Sequence, residues 1–367
     1  MRYRVGELVD SISKKCDFKT DKIIFLNTGD IEDGKIVNNN CYKISDLPGQ
    51  AKKKIKNGDI LFSEIRPKNK RYALVENIDE TNYVVSTKLM VLRNKDSKVL
   101  NMKYFYYFLT SPKMLRYLQS EAEARSGTFP QITFKDNIYP ITINLPSLAE
   151  QNKIVKNIDS IVNKIKNNQK INTNLLAIAK EKYQKMLASS LLTKTKLKDF
   201  ATITMGQSPS SKTYNKEKQG VALLNGATDF RNGIHPSKWT TDPKKVVNKG
   251  AYIFGVRATI GLTTKVFNKY AIGRGTGSAV SKDTTNDEFL YFVLNDMFKD
   301  FKNTGSGSVY INISKKDLNE YTFYKPKINE LISFHQTIAP IMNKIYTNNQ
   351  ENIVLTEIKE NLLKQFF

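Results

Sequence analysis

The chain has 367 residues, 40% of them hydrophobic, which is enough for two or three packed domains. Lys and Arg number 58 against 35 Asp and Glu, a net charge of +23. No apolar run approaches the ~18 residues a membrane span needs, and the start, "MRYRVGELVDSISKK", lacks an apolar signal core, so the chain reads as soluble and cytoplasmic. With two cysteines (Cys16, Cys41) and two histidines (His235, His335), no paired metal-ligand spacing and no Ser/His/Asp or Cys/His set arises.

In chain order, "GDILFS" (Gly58 to Ser63) and "YVVSTKLMVLR" (Tyr83 to Arg93) predict strands, and Asn101 to Ala124 predicts a helix. At "LPSLAEQNKIVKNID", Pro146 stops an extended segment. Ser147 and Glu150 then form a capping box that opens a long helix. In that helix Ile154, Ile158, Ile161, Ile165, Leu175 and Ala179 make a seam of alternating spacings, with Asn168 and Asn172 in its one gap.

After this helix the chain repeats itself. "FLNTGDIEDGKI" returns as "LLNGATDFRNGIH", and "IKNGDILFSEIRP" returns as "VNKGAYIFGVRAT". "SGTFPQITFKDNIYPITINLP" returns as "SGSVYINISKKDLNEYTFYKP". "GAYIFGV" and "DEFLYFVLNDMFKDF" supply the second strand and helix, and Pro326 with Glu330 opens a second long helix. Its seam is Ile338, Ile341, Ile345 and Leu355, with Asn348 and Asn352 in the gap. The matched asparagines favour helix-on-helix pairing over each seam docking on its own globular unit. Pro340 should kink this helix or delay its start. Leu362, Leu363, Phe366 and Phe367 either finish the pairing or offer a partner surface.

The expected fold is α+β: two similar mixed units and two long helices that pair along coiled-coil seams, with an internal repeat. The segments are 1–145, a first globular unit; 146–192, a long helix; 193–326, a second globular unit; and 327–367, a second long helix. Net charge is +8 over 1–145, +6 over 146–195, +9 over 196–326 and zero over 327–367. Charge spread over both units suits a polyanion.

Side chains able to contact phosphates and base edges cluster in turns. In the first unit they are Arg66, Lys68, Lys70 and Arg71 of "EIRPKNKR", and Arg125, Ser126, Thr128 and Gln131 of "ARSGTFPQ". In the second they are Gln207, Ser208 and Tyr214; Arg257 and Thr259; Arg274, Thr276 and Ser278; and Ser306, Ser308 and Tyr310. Arg257 and Arg274 stand out, since arginine to guanine is the commonest specific contact. Catalytic signals are lacking. "GRGTGSA" has no strand–helix frame for a phosphate loop, and no Asn/Asp-Pro-Pro-aromatic motif occurs. Asp59 and Glu64 would be the carboxylates of a nuclease reading.

The junction "LPSLAEQNKIVKNID", with "SGTFPQITFKDNIYPITI" before it, resembles the first conserved region of type I restriction–modification specificity subunits. "GDILFS", "VVSTKLMVLR", "MGQSPSSKTYN" and "AIGRGTGSAV" resemble pieces of that family's target recognition domains, and the resemblance covers essentially the whole chain. It implies a non-catalytic subunit with target recognition domains at 1–145 and 193–326, separated by two long antiparallel helices in a pseudo-twofold arrangement, each domain reading half of a split, asymmetric double-stranded DNA target. Its helices would dock two copies of an adenine-N6 methyltransferase, with restriction subunits joining. S-adenosylmethionine, ATP and Mg²⁺ would belong to those partners, and none to this chain. The alternative is a protein-binding scaffold whose basic charge is incidental.

Overall fold

The computed structural model describes residues 1–18, 20–231, 233–257, 260–304 and 313–367. Among the described residues the helices of eight residues or more are α1 (Met102–Leu109), α2 (Pro112–Arg125), α3 (Leu148–Ser189), α4 (Asp287–Thr304) and α5 (Ile328–Phe366). The chain divides into two compact units, Met1–Lys164 with Leu355–Phe367, and Ile165–Val354. Each unit therefore takes a part of α3 and a part of α5.

The first unit holds two four-stranded sheets. In one, Leu89–Asn94 lies between Val9–Ser11 and Ile60–Ser63, with Leu89 opposite Ser63 and Leu92 opposite Ile60. In the other, Tyr83–Ser86 runs parallel to Lys22–Leu26. The expected Tyr83 to Arg93 strand is thus two strands in two sheets, because the chain turns at Thr87 and Lys88. The expected helix from Asn101 to Ala124 is also two. Pro112 cannot donate an amide hydrogen bond, so it sits in the first turn of α2, where Ser111 caps the amide of Met114.

The second unit repeats the plan. Thr276–Ser281 lies between Ala201–Met205 and Tyr252–Gly255, with Tyr252 opposite Ala279 and Gly255 opposite Thr276. Val221–Leu224 runs parallel to Tyr270–Ile272, matching the parallel pair of the first unit. Fully buried Tyr252, Phe254, Phe289 and Phe298 fill its core, where Phe62 and Phe105 fill the first.

The start of α3 is chemically explicit. The Ser147 amide and hydroxyl both donate to Glu150 Oε2, at 3.0 and 2.8 Å, and the Glu150 amide donates back to Ser147 Oγ at 3.3 Å. At α5 half the arrangement survives: the Lys327 amide donates to Glu330 at 2.9 Å, but Lys327 has no hydroxyl to return the bond. Helix α5 begins at Ile328 and runs through Pro340, so its start is not delayed.

In the second unit the two helices meet through amides. Asn168 Nδ2 donates to Glu351 Oε2 at 2.7 Å and to Asn352 Oδ1 at 3.0 Å. Asn172 Nδ2 donates to Asn349 Oδ1 at 2.8 Å, and Asn348 Nδ2 donates to Asn172 Oδ1 at 2.8 Å. Numbers rise on one helix as they fall on the other, so the pair is antiparallel. Ile338 and Ile345 are buried in the second core with Ala179, and Leu175 and Ile341 pack against it. In the first unit Ile158 is fully buried beside Leu363, and the Phe367 ring meets Tyr104 at 5.1 Å. Ile161, Ile165 and Leu355 are half-buried. The apolar end of α5 thus serves the first core.

The hydrogen bonds from Ser147 hold the Glu150 carboxyl below the usual glutamate range. A carboxylate whose folded pKa is lowered stabilises the fold above its ordinary pKa, and that stabilisation fades as pH falls through the lowered value. We expect Ser147→Ala to lower the urea midpoint at pH 7, and the gap from the native chain to narrow as pH drops below about 4, read by circular dichroism at several pH values.

Candidate nucleic-acid interface

In the first unit the two candidate stretches are one surface. The Ile132 amide donates to Glu64 O at 2.9 Å and the Arg66 amide to Pro130 O at 3.1 Å, while Ile65 bridges Gln131. Arg66 Nη2 also donates to Thr128 O at 3.3 Å. Below them the Lys68 amide donates to Gln119 of α2 at 3.0 Å. Arg66 and Lys70 adopt left-handed backbone, at φ 45° and 54°. Such a conformation costs about 1–3 kcal/mol per non-glycine residue and persists only where its surroundings over-determine it.

The cations here are already engaged. Lys68 pairs with Glu123 at 3.4 Å, Lys70 with Asp33 at 3.7 Å and Arg125 with Asp136 at 2.6 Å. The Glu123 carboxyl, bonded by Gln119 and then Lys68, and the Asp136 carboxyl, bonded by Arg125 and then Thr133, are both held below the usual range. These pairs are exposed, and exposed ion pairs are worth little, so a phosphate can compete for each cation. Arg71 is held differently. Its Nη1 donates to Gly29 O at 3.3 Å and Ile31 O at 2.9 Å, so it staples a neighbouring turn. Ser126 turns inward, accepting from the Phe129 amide at 3.1 Å.

The second unit builds its surface differently. Backbones there approach so closely that a Cβ on Gly206 would lie 2.2 Å from Gly273 O, and one on Gly273 would lie 1.9 Å from Asn225 Oδ1. Ser208 Oγ donates to Asn225 Oδ1 at 3.2 Å and accepts from the Arg274 amide at 3.3 Å. The Val256 amide donates to Gly275 O at 3.1 Å, which sets Arg257 beside the same turn. Gln207, Arg257 and Arg274 are exposed. Neither arginine's guanidinium has a hydrogen bond or ion pair among the described residues.

Other expected contacts are corrected by burial. Thr276 is fully buried, its hydroxyl donating to Leu224 O at 3.2 Å, and Ser278 is 3% exposed in the central strand. Both fall on a strand paired on both sides, so neither hydroxyl reaches a ligand surface. Tyr214 is half-buried, and its hydroxyl donates to Pro209 O at 3.2 Å. Thr259, Ser306, Ser308 and Tyr310 lie outside the described residues.

Asn225 is the residue the sequence reading passed over. Its amide donates to buried Asp229 at 2.9 Å, and in the first unit the Asn27 amide donates to Asp30 at 2.8 Å. The repeated phrases "LNTGD" and "LNGATD" carried that signal, an Asn followed at short range by an Asp in the same turn of each unit.

The nuclease reading fails on Asp59. It is 1% exposed, and Arg93 grips both its oxygens at 2.8 and 2.7 Å. The Lys56 amide adds a third bond at 2.7 Å, so three of the carboxylate's four acceptor sites are taken and the group is sealed from solvent. Asp59 secures the sheet. Arg93→Ala strips a buried carboxylate of its partner, and we expect a loss of about 3 kcal/mol in urea unfolding.

A sequence profile described as the type I restriction modification DNA specificity domain matches residues 1–177 and again 191–360. The chain is 29% identical to the type I restriction enzyme HindI specificity subunit of Haemophilus influenzae, over 98% of this chain and 97% of that one. A crystal structure of a type I restriction–modification system S subunit from M. genitalium is 17% identical, covers 100% of this chain and 96% of its own, and superposes with a TM-score of 0.59. That last likeness is one of fold.

Proposed function

The chain belongs to the type I restriction modification DNA specificity family, and on that premise we propose that its two units read the two halves of one split DNA target. The observation that carries this is a repeated scaffold with unlike surfaces. The first unit offers paired, exposed cations on a strained turn, and the second offers Arg257 and Arg274, unpaired among the described residues, beside a glycine-packed turn. One plan with two different side-chain sets calls for two different half-sites, hence a bipartite, asymmetric sequence. The net charge of +23 supplies sequence-independent attraction to phosphates, and the arginines supply base discrimination.

The chain is a recognition subunit and performs no catalytic step itself. The helices hold two copies of a DNA adenine-N6 methyltransferase, which extrudes and methylates the target adenine, and restriction subunits join that core. Methyl donor, ATP and Mg²⁺ belong to those partners. Apolar side chains on the helix surfaces support the docking role. Ile171 and Ile178, one heptad apart on α3, are 43% and 47% exposed. Val354 and Ile358 on α5 are exposed too.

The test is selection of bound DNA from a random pool at about 0.15 M salt, where phosphate-only binding is weakened, with the chain co-expressed with its methyltransferase. We expect two short, unlike motifs at a fixed gap. A pool without a motif, with binding that tracks salt alone, would support the scaffold reading instead.

A further inference from the structure

We propose that Phe129 is a base-contacting residue of the first unit, packing its ring on an apolar surface of DNA. The inference rests on the DNA-reading function above and adds a contact to it.

Phe129 lies at the tip of the "SGTFPQ" turn and is 50% exposed. The turn around it is fixed on both sides. Arg66 takes Thr128 O through its guanidinium and Pro130 O through its amide, and Ser126 Oγ accepts from the Phe129 amide. Pro130 and Ile132 are buried just beyond. A chain held this firmly could bury a ring, yet this ring stays out and has no aromatic partner among the described residues. Covering the exposed half of the ring would contribute favourably to binding.

The surroundings select the ligand. Gly127 and Thr128 are exposed, and the cations Arg66, Lys68 and Arg125 stand on the strands of chain that meet at the turn. A protein partner matched to an apolar anchor needs a broader apolar patch, with charge kept to the rim. A lone ring among cations fits a polyanion that also carries apolar surface, and DNA does so at thymine methyls and at base faces. A rigid turn suits this, because little conformational entropy is lost when the ring engages.

The experiment uses the full chain in complex with its methyltransferase and compares native protein with Phe129→Ala and Phe129→Trp. Affinity is measured for the selected target and for random DNA across a salt series. We expect Phe129→Ala to bind the target about tenfold or more weakly, the scale of one lost stacking contact. Random-DNA affinity and the salt slope should be kept, because no phosphate contact is removed, and Phe129→Trp should restore most of the loss. Replacing each thymine of the half-site by deoxyuridine then locates the contact. A matching loss at one position assigns a thymine methyl, and no loss assigns a base face. Unchanged target affinity in Phe129→Ala would overturn the proposal, and so would loss of methyltransferase binding, which would place the ring in a protein interface. Failure of the native complex to select any motif is a separate result that removes the functional reading itself.

Discussion

The pairing of α3 with α5 through side-chain amides is the constraint on which the rest depends. An apolar seam can slide by a heptad at small cost, whereas buried amides have few satisfied arrangements. Asn168 and Asn348 are 2% and 1% exposed, and each finds an amide or carboxylate on the other helix. Slipping the register leaves those groups unpaired, at about 1–3 kcal/mol each. The same register decides which apolar residues meet which core. Leu363 and Phe367 complete the packing of the first unit, and Ala179 and Tyr183 complete that of the second. Leu363 and Phe367 thus join a core that Val5, Leu8 and Val9 also enter, contacts of very long sequence separation.

Around that pairing the two units share structure and differ in surface. Tyr107 donates to Asp159 of α3 at 2.5 Å in the first unit, and Tyr183 of α3 donates to Asp296 at 2.9 Å in the second. Each unit is tied to the helix by a tyrosine–aspartate bond, made with opposite polarity. Gln151 does the same work at the first junction, where it is fully buried, donating to Val99 O and Pro146 O and accepting from the Asn101 amide. At the second junction Leu331, 180 residues on, packs into the core instead. Gln151 is thus internal architecture at one junction, and a buried leucine takes its place at the other.

Much of the fold was legible because duplication leaves marks in sequence. The offsets of 192 between Gly58 and Gly250 and 180 between Asn168 and Asn348 recur as matched strands and matched seam positions. Breaks within elements were less legible. Pro112 divides a continuous apolar pattern, and Thr87–Lys88 sends one β-rich run into two sheets. For the site, residue type located the turns but did not reveal which side chains are free. Arg71 and Arg274 look alike in sequence, yet one is spent on backbone carbonyls and the other is not. Thr276 and Ser278 read as polar turn residues, but strand pairing on both sides buries them. Burial and pairing are long-range properties, and no local window contains them.

If unlike surfaces on a repeated plan read separate halves of one target, damage to one surface must be felt in one half only. The most direct measurement is a map of methylated adenines in DNA treated with the methyltransferase complex carrying Arg274→Ala. The account predicts that one half of the methylated motif relaxes, with about 1–3 kcal/mol of discrimination lost at one base pair, while the other half and the gap stay as in the native complex. An unaltered motif, or loss of selectivity in both halves together, would contradict it.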